Sequence, residues 1–369
     1  MRIQTQNRLL LGPGPSGVYP DVLKVMATPL VGHLDPYFLE VMSDLQGMLK
    51  QVFQTENELT LAMSGTGSAG METVFVNLIE PGDKVLIGIC GVFGERMKDV
   101  AERCGAEVLT VYGEWGNPIE PDQIEAVLKI TPGIKAVALV HAETSTGVRQ
   151  PLEEISVLVH NYGALLIVDA VTSLGGIPVE VDKLQIDACY SGTQKCLSAP
   201  PGLSPVTLSK AAFERIKNRK TKVQSWYLDL SMIANYWREE RFYHHTAPIS
   251  MIFSLHEALR LLFEEGLENS FKRHANNGRI LQSELEGMGM QLLAKEGYRL
   301  PQLTSVLIPD NYNEANLRKQ LLQEYGIEVG GGLGHWKGKA WRIGLMGHSS
   351  SLSNVTLLIQ AIKNLTGQN

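Results

Sequence analysis

Between residues 59 and 208 short apolar runs alternate with amphipathic stretches, and this alternation constrains the fold more than anything else in the chain. Segments 59–63, 84–89, 107–111, 136–141, 164–169, 188–190 and 204–208 read as strands. Helical periodicity fills several of the gaps, at 68–78, 93–104, 121–129 and 152–162. Such a pattern predicts an α/β domain with a mostly parallel seven-stranded sheet between helices. In sheets of that kind functional groups gather at the carboxyl ends of the strands.

After residue 249 the pattern changes. Long helical stretches at 249–265 and 267–288 precede strands at 305–308 and 340–344 and helices at 313–325 and 352–365. A length of 369 residues suits one large domain and a smaller one. The expected division is an N-terminal arm (1–17) packing on the small domain or on a partner subunit, a large domain (18–265) and a small α+β domain (266–369). No internal repeat or low-complexity tract is visible.

Two strand ends carry unusual chemistry. The apolar run Leu165-Leu-Ile-Val-Asp-Ala170 delivers a carboxylate, Asp169, and Asp187-Ala-Cys-Tyr-Ser-Gly-Thr-Gln-Lys195 ends on a lysine before Ala-Pro-Pro-Gly. Burial lowers a lysine's pKa, and the neutral amine attacks carbonyls. An aspartate and a lysine at neighbouring strand ends suit a pyridoxal phosphate enzyme. The lysine binds the cofactor covalently and the aspartate keeps its pyridine nitrogen protonated. Each residue alone also fits a solvated loop or a helix cap.

Ser64-Gly-Thr-Gly-Ser-Ala-Gly70 follows a strand and opens a helix, where free N–H groups face an anion. Thr66 and Ser68 add hydroxyls. Gly65, Gly67 and Gly70 also fit the letters G-x-G-x-x-G, so a dinucleotide site is the rival. No acid-terminated second strand follows at the distance that rival needs. Phe93, just past the next strand, could stack on a flat ring or serve as core. His141-Ala-Glu-Thr-Ser-Thr-Gly147 could line a polar pocket or form a solvated loop. Arg342 lies inside an apolar strand, either as a fork for a substrate carboxylate or in a structural ion pair. Tyr243-His-His-Thr246 holds two histidines without a third ligand at suitable spacing, so no metal is expected.

Composition excludes other classes. A net charge of −6 with no long basic run argues against nucleic acid, and no apolar stretch nears a membrane span. The start lacks a secretory core and the end is not a peroxisomal address. The four cysteines show no metal spacing, and a cytoplasmic setting is expected.

Taken together, these motifs resemble the class V aminotransferases of the pyridoxal phosphate fold type I superfamily. Within them the chain is most similar to the alanine–glyoxylate and serine–pyruvate group. The resemblance runs from Leu10-Leu-Gly-Pro-Gly-Pro-Ser16 to Arg342-Ile-Gly-Leu-Met-Gly347. Its most specific stretches are Phe53-Gln-Thr55, Ser64-Gly-Thr-Gly67, Glu80-Pro-Gly-Asp83, Ser145-Thr-Gly-Val148, Ser173-Leu-Gly-Gly176, Tyr190-Ser-Gly-Thr-Gln-Lys195 and Tyr243-His-His-Thr246.

The resemblance implies ping-pong transfer of an amino group from alanine or serine to glyoxylate or another small 2-oxo acid. It implies Lys195 as the catalytic, cofactor-bearing lysine and Asp169 as partner of the pyridine nitrogen. Thr66, Gly67, Ser68 and Gln194 would hold the phosphate, Phe93 would stack on the ring and Val171 would pack on the opposite face. Ser145 would approach the cofactor, while Gly14, Thr146 and Arg342 would meet the substrate. Tyr243 and Thr246 would reach the phosphate of a neighbouring subunit in a homodimer. Phe93 stands where relatives often carry tryptophan, and Ser68 where some carry histidine. Rival readings are a desulfurase-like lyase, which lacks a cysteine after Cys196, a dinucleotide oxidoreductase and a non-catalytic binding module.

Overall fold

The computed structural model describes residues 4–238 and 240–367. Its centre is a seven-stranded sheet in the order Leu59–Ser64, Leu203–Leu208, Ala188–Tyr190, Leu165–Asp169, Ile134–Val140, Lys84–Ile89, Glu107–Tyr112. Leu203–Leu208 runs antiparallel to both its neighbours, and every other strand shares one direction. The middle strands are apolar without alternation because helices cover both faces. Leu86, Ile87, Val137, Leu166, Ile167 and Val168 are all fully buried. Burial of each such side chain contributes about 1.5–3 kcal/mol.

The helix Pro36–Phe53, which the sequence reading did not single out, closes one side of this layer. Asp35 starts it by accepting the Tyr37 N–H, Pro36 occupies its first turn, and Gln54 ends it in the left-handed region. Phe38, Met42, Leu45, Leu49 and Val52 form its buried stripe at helical spacing. That stripe packs on the helix Ile249–Glu265, where the Phe38 and Phe253 rings meet edge to face at 6.1 Å.

A second sheet of three antiparallel strands, Leu303–Leu307, Ala340–Gly344 and Gly330–Gly331, has its own core around Leu281, Val306, Trp341, Ile343 and Leu358. Leu11 joins that core, and Leu9–Leu10 pairs in parallel with Ile327–Glu328. From there the N-terminal segment crosses to the large sheet. The Ser16 N–H donates to Gln194 O at 2.8 Å and the Ser16 hydroxyl to Lys195 O at 2.7 Å. These bonds lay residues 13–15 against Lys195. No helix among the described residues is long and apolar enough to cross a membrane.

Candidate active site

Asp169 ends the strand Leu165–Asp169 in the middle of the sheet and is 3% exposed. Its Oδ1 accepts the Val171 N–H at 2.8 Å. Tyr190 lies opposite it in the adjacent strand, with a buried hydroxyl that makes no hydrogen bond of good geometry but still favours the Asp169 carboxylate electrostatically. Burial raises the Asp169 carboxyl to about 6, against the opposing pull of the Val171 N–H and Tyr190.

Lys195 is 7% exposed and follows an irregular stretch after Ala188–Tyr190. Burial lowers its ammonium to about 8. Its Nζ contacts Pro13 O, and Gly14 lies directly over it at φ +114°. A Cβ on Gly14 would sit 2.8 Å from Nζ, so only glycine leaves the lysine head free.

These two shifts make a stability prediction for the cofactor-free chain. Between pH 8 and the ordinary lysine range the unfolded chain binds a proton that folded Lys195 does not, so stability rises with pH across that window. For Asp169 the folded state holds the extra proton between the ordinary carboxylate range and about 6, so stability falls as pH rises there. Lys195→Met keeps the volume and removes the charge. It is expected to stabilise the cofactor-free protein at pH 7 by about 3 kcal/mol and to flatten the rise above pH 8. Urea unfolding across pH tests this, and an unchanged slope would refute it.

A cavity of about 200 Å³ opens beside these groups. Thr66, Gly67, Ser68 and Gln194 line one end. Thr66 starts the helix Gly67–Leu78 without a side-chain hydrogen bond, leaving its hydroxyl and the first-turn N–H groups for a ligand. Val171 lines the cavity as well, 3.3 Å from where a Cβ on Gly67 would lie. Phe93 and Arg96 also line it, the Arg96 guanidinium carbon 4.8 Å from the Phe93 ring centre.

The remaining expected residues divide. Arg342 is buried enough to be lowered to about 10, its Nε donates to Gly331 O at 2.8 Å, and no hydrogen bond among the described residues engages its terminal nitrogens. Thr146 is fully buried, its hydroxyl without a partner among the described residues. Ser145 is buried too, but its hydroxyl donates to Glu143 at 2.6 Å and accepts from the Val92 N–H at 3.0 Å. Tyr243 and Thr246 are exposed and do not line this cavity within the one chain, and the Tyr243 ring lies 5.0 Å from His33.

Of three further neighbours, Thr144 belongs to the 141–147 stretch expected to line a polar pocket, while Arg96 and Glu143 were not singled out from the sequence. Thr144 lines the cavity and shares a 2.6 Å hydrogen bond with Thr172. Arg96 follows Phe93 by one helical turn, a spacing that places both on one face. Glu143 is fully buried against the start of the Phe93 helix. Among the described residues no group of three or more His, Cys, Asp and Glu is placed to hold a metal.

The sequence profile "Aminotransferase class-V" matches residues 24–339. The chain belongs to the class-V aminotransferase family. It is 41% identical to an alanine–glyoxylate aminotransferase of Felis catus, over 97% of this chain and 87% of the relative. It is 40% identical to an (S)-ureidoglycine–glyoxylate transaminase of Bacillus subtilis strain 168, over 97% and 90%. A crystal structure of alanine–glyoxylate aminotransferase from Nostoc sp. superimposes with a TM-score of 0.97 at 48% identity, covering 99% of this chain and 97% of that one.

This class-V aminotransferase therefore has the fold type I architecture and uses pyridoxal 5′-phosphate. Its cavity fits that group. Among the described residues Gln194 Oε1 is buried with no partner beside the helix start, and the Thr66 hydroxyl makes no capping hydrogen bond. When bound, pyridoxal phosphate supplies the carbonyl that carries the amino group and the electron-accepting ring that makes Cα–H cleavage accessible.

Proposed function

We propose that this aminotransferase moves the amino group of alanine or serine to glyoxylate or another small 2-oxo acid, in two half-reactions at one site. The observation that carries the reading is Arg342, a half-buried guanidinium in the strand Ala340–Gly344 whose terminal nitrogens have no hydrogen bond among the described residues. A guanidinium fork binds a carboxylate bidentately. The relatives' glyoxylate activities support the acceptor, and the restricted cavity supports a small donor.

In this reading Lys195 holds the cofactor and then moves the Cα proton, while Asp169 keeps a proton on the ring nitrogen. Thr66, Gly67, Ser68 and Gln194 bind the phosphate, Phe93 and Val171 sandwich the ring, and Gly14 and Thr146 border the substrate. Ser145 acts from behind the wall rather than by touching the ring. A desulfurase-like reaction has less support, because all four cysteines are buried and burial raises the Cys196 thiol to about 12.

The assembly we propose is a homodimer in which Tyr243 and Thr246 complete the partner's phosphate site. Support comes from the exposed Trp226, Tyr227, Phe242 and Tyr243, more aromatic surface than a monomer ordinarily shows in one stretch of chain. We read residues 1–17 as an arm, 18–265 as the large domain and 266–369 as the small one, in line with the two separate cores. Free, buried thiols support a reducing, cytoplasmic setting.

A matrix of alanine, serine, (S)-ureidoglycine and phosphoserine against glyoxylate and pyruvate tests the substrates. Ureidoglycine belongs in it because its transaminase is as similar to this chain as the alanine enzymes are. The reading expects glyoxylate to accept from alanine or serine with parallel double-reciprocal lines, and it is wrong if glyoxylate accepts from neither. Arg342→Lys is expected to lower kcat/KM for glyoxylate roughly 10- to 100-fold through loss of the paired hydrogen bonds. Retained cofactor absorbance in that variant separates substrate binding from folding.

A further inference from the structure

The helix Val92–Arg103 begins at Gly91, a residue with no side chain to cap it. Its first N–H groups would be orphaned in a buried setting. They are met instead from a segment some fifty residues downstream. Glu143 Oε2 accepts the Phe93 N–H at 3.3 Å, and Ser145 Oγ accepts the Val92 N–H at 3.0 Å. The Ser145 hydroxyl in turn donates a hydrogen bond to Glu143 Oε1 at 2.6 Å, and the Ser145 N–H donates to the same oxygen at 3.0 Å. A Cβ on Gly91 would overlap both Ser145 Oγ and the Glu143 carboxyl, so this close approach requires glycine.

Every group bonded to the Glu143 carboxyl is a donor. The two backbone N–H groups can only donate, and with the Ser145 hydroxyl donating as well the arrangement favours the carboxylate against the burial that raises its pKa. That charge also sits where a helix N-terminus favours it. Two residues beside the carboxylate line the cavity: Phe93 on the capped helix, and Thr144 next to Glu143 in sequence.

We propose that Glu143, with Ser145 as relay, is a positioning residue that fixes Phe93 over the cofactor ring by capping the start of the Phe93 helix from behind the cavity lining. The inference rests on the stacking role proposed above for Phe93. Glutamine at 143 can still accept from Ser145, but its NH2 then faces the Phe93 N–H, so the cap is broken at the residue that matters.

The test compares the parent holoenzyme with Glu143→Gln, Ser145→Ala, the double variant, Phe93→Ala and Phe93→Ala combined with Glu143→Gln. Three quantities are read: the rate of cofactor release into a trapping solution, the visible circular dichroism of the bound cofactor, and Tm. Glu143→Gln and Ser145→Ala are each expected to speed release about tenfold and weaken the visible dichroism, in line with loss of a cap. The double variant should be no worse than the worse single, and Glu143→Gln should add nothing once Phe93 is alanine. A lowered Tm with parental release and dichroism makes Glu143 a structural cap only and overturns the inference, while Phe93→Ala still speeding release leaves stacking intact. Parental release from Phe93→Ala overturns the stacking reading and the inference together. If Glu143→Gln does not fold, Ser145→Ala, which keeps the carboxylate, decides by the same readouts.

Discussion

Lys195→Ala is expected to lower kcat for transamination by at least about 10⁴-fold while leaving the protein folded and able to bind pyridoxal phosphate. In the proposed reading the loss combines a nucleophile and a proton carrier in one side chain, and positioned acid–base groups alone account for roughly 10²–10⁴. The geometry explains why nothing nearby can substitute. Gly14 and Pro13 O enclose the amine, and burial lowers it to about 8, so a useful fraction is neutral near physiological pH. Lys195→Arg should be equally inactive, because a guanidinium stays charged. In the parent, borohydride should fix the cofactor to the peptide that contains Lys195, and mass spectrometry should find no such adduct in the alanine variant. Turnover of the alanine variant above a hundredth of the parent rate would remove Lys195 from its assigned role.

Much of this site was legible because its chemistry is local. Asp169 ends an apolar run, Lys195 follows another across a short polar stretch, and the Gly65–Gly70 turn lies between a strand and a helix, so periodicity and residue type point to strand-end chemistry. What stayed hidden depends on tertiary contact. Ser145 looks like a free hydroxyl in sequence, yet its proton is committed to Glu143 and its lone pair to the Val92 N–H. Glu143 caps a helix that begins far from it in the chain, which no local pattern announces. The reversed direction of Leu203–Leu208 had a usable signal: residues 191–202 contain no helix to carry a parallel crossover. The helix Pro36–Phe53 was visible as well, in Asp35-Pro36 and the stripe from Phe38 to Val52. Tyr243 and Thr246 remain apart from the cavity because, in the reading proposed here, their partner is on another chain.

Asp169→Asn should be nearly as damaging to catalysis and far more informative about its cause. Asparagine keeps the shape and can still accept the Val171 N–H through its carbonyl oxygen, so the strand end should survive. What disappears is the negative charge. In the empty chain burial already raises the carboxyl to about 6, so the carboxylate is held at some expense until a cation faces it. In the proposed reading a protonated ring nitrogen would be that cation, and its pairing with Asp169 in a buried site would draw the Asp169 pKa down while raising the nitrogen's. Asparagine cannot hold the nitrogen's proton in this way, and an unprotonated ring accepts electrons poorly. We expect kcat to fall by about 10²–10³, the scale seen when one preorganised electrostatic partner is removed. The sign with pH follows. Bulk acid can supply the missing proton, so the variant's rate should climb as pH falls from 8 to 6, whereas the parent, with its proton secured by Asp169, should not gain over that range. A cofactor analogue methylated on the ring nitrogen carries the positive charge permanently and should restore part of the variant's rate at pH 8. Parental kcat in Asp169→Asn, or no gain from acid or analogue, would mean that the buried carboxylate serves the fold of the strand end and not the electronics of the ring.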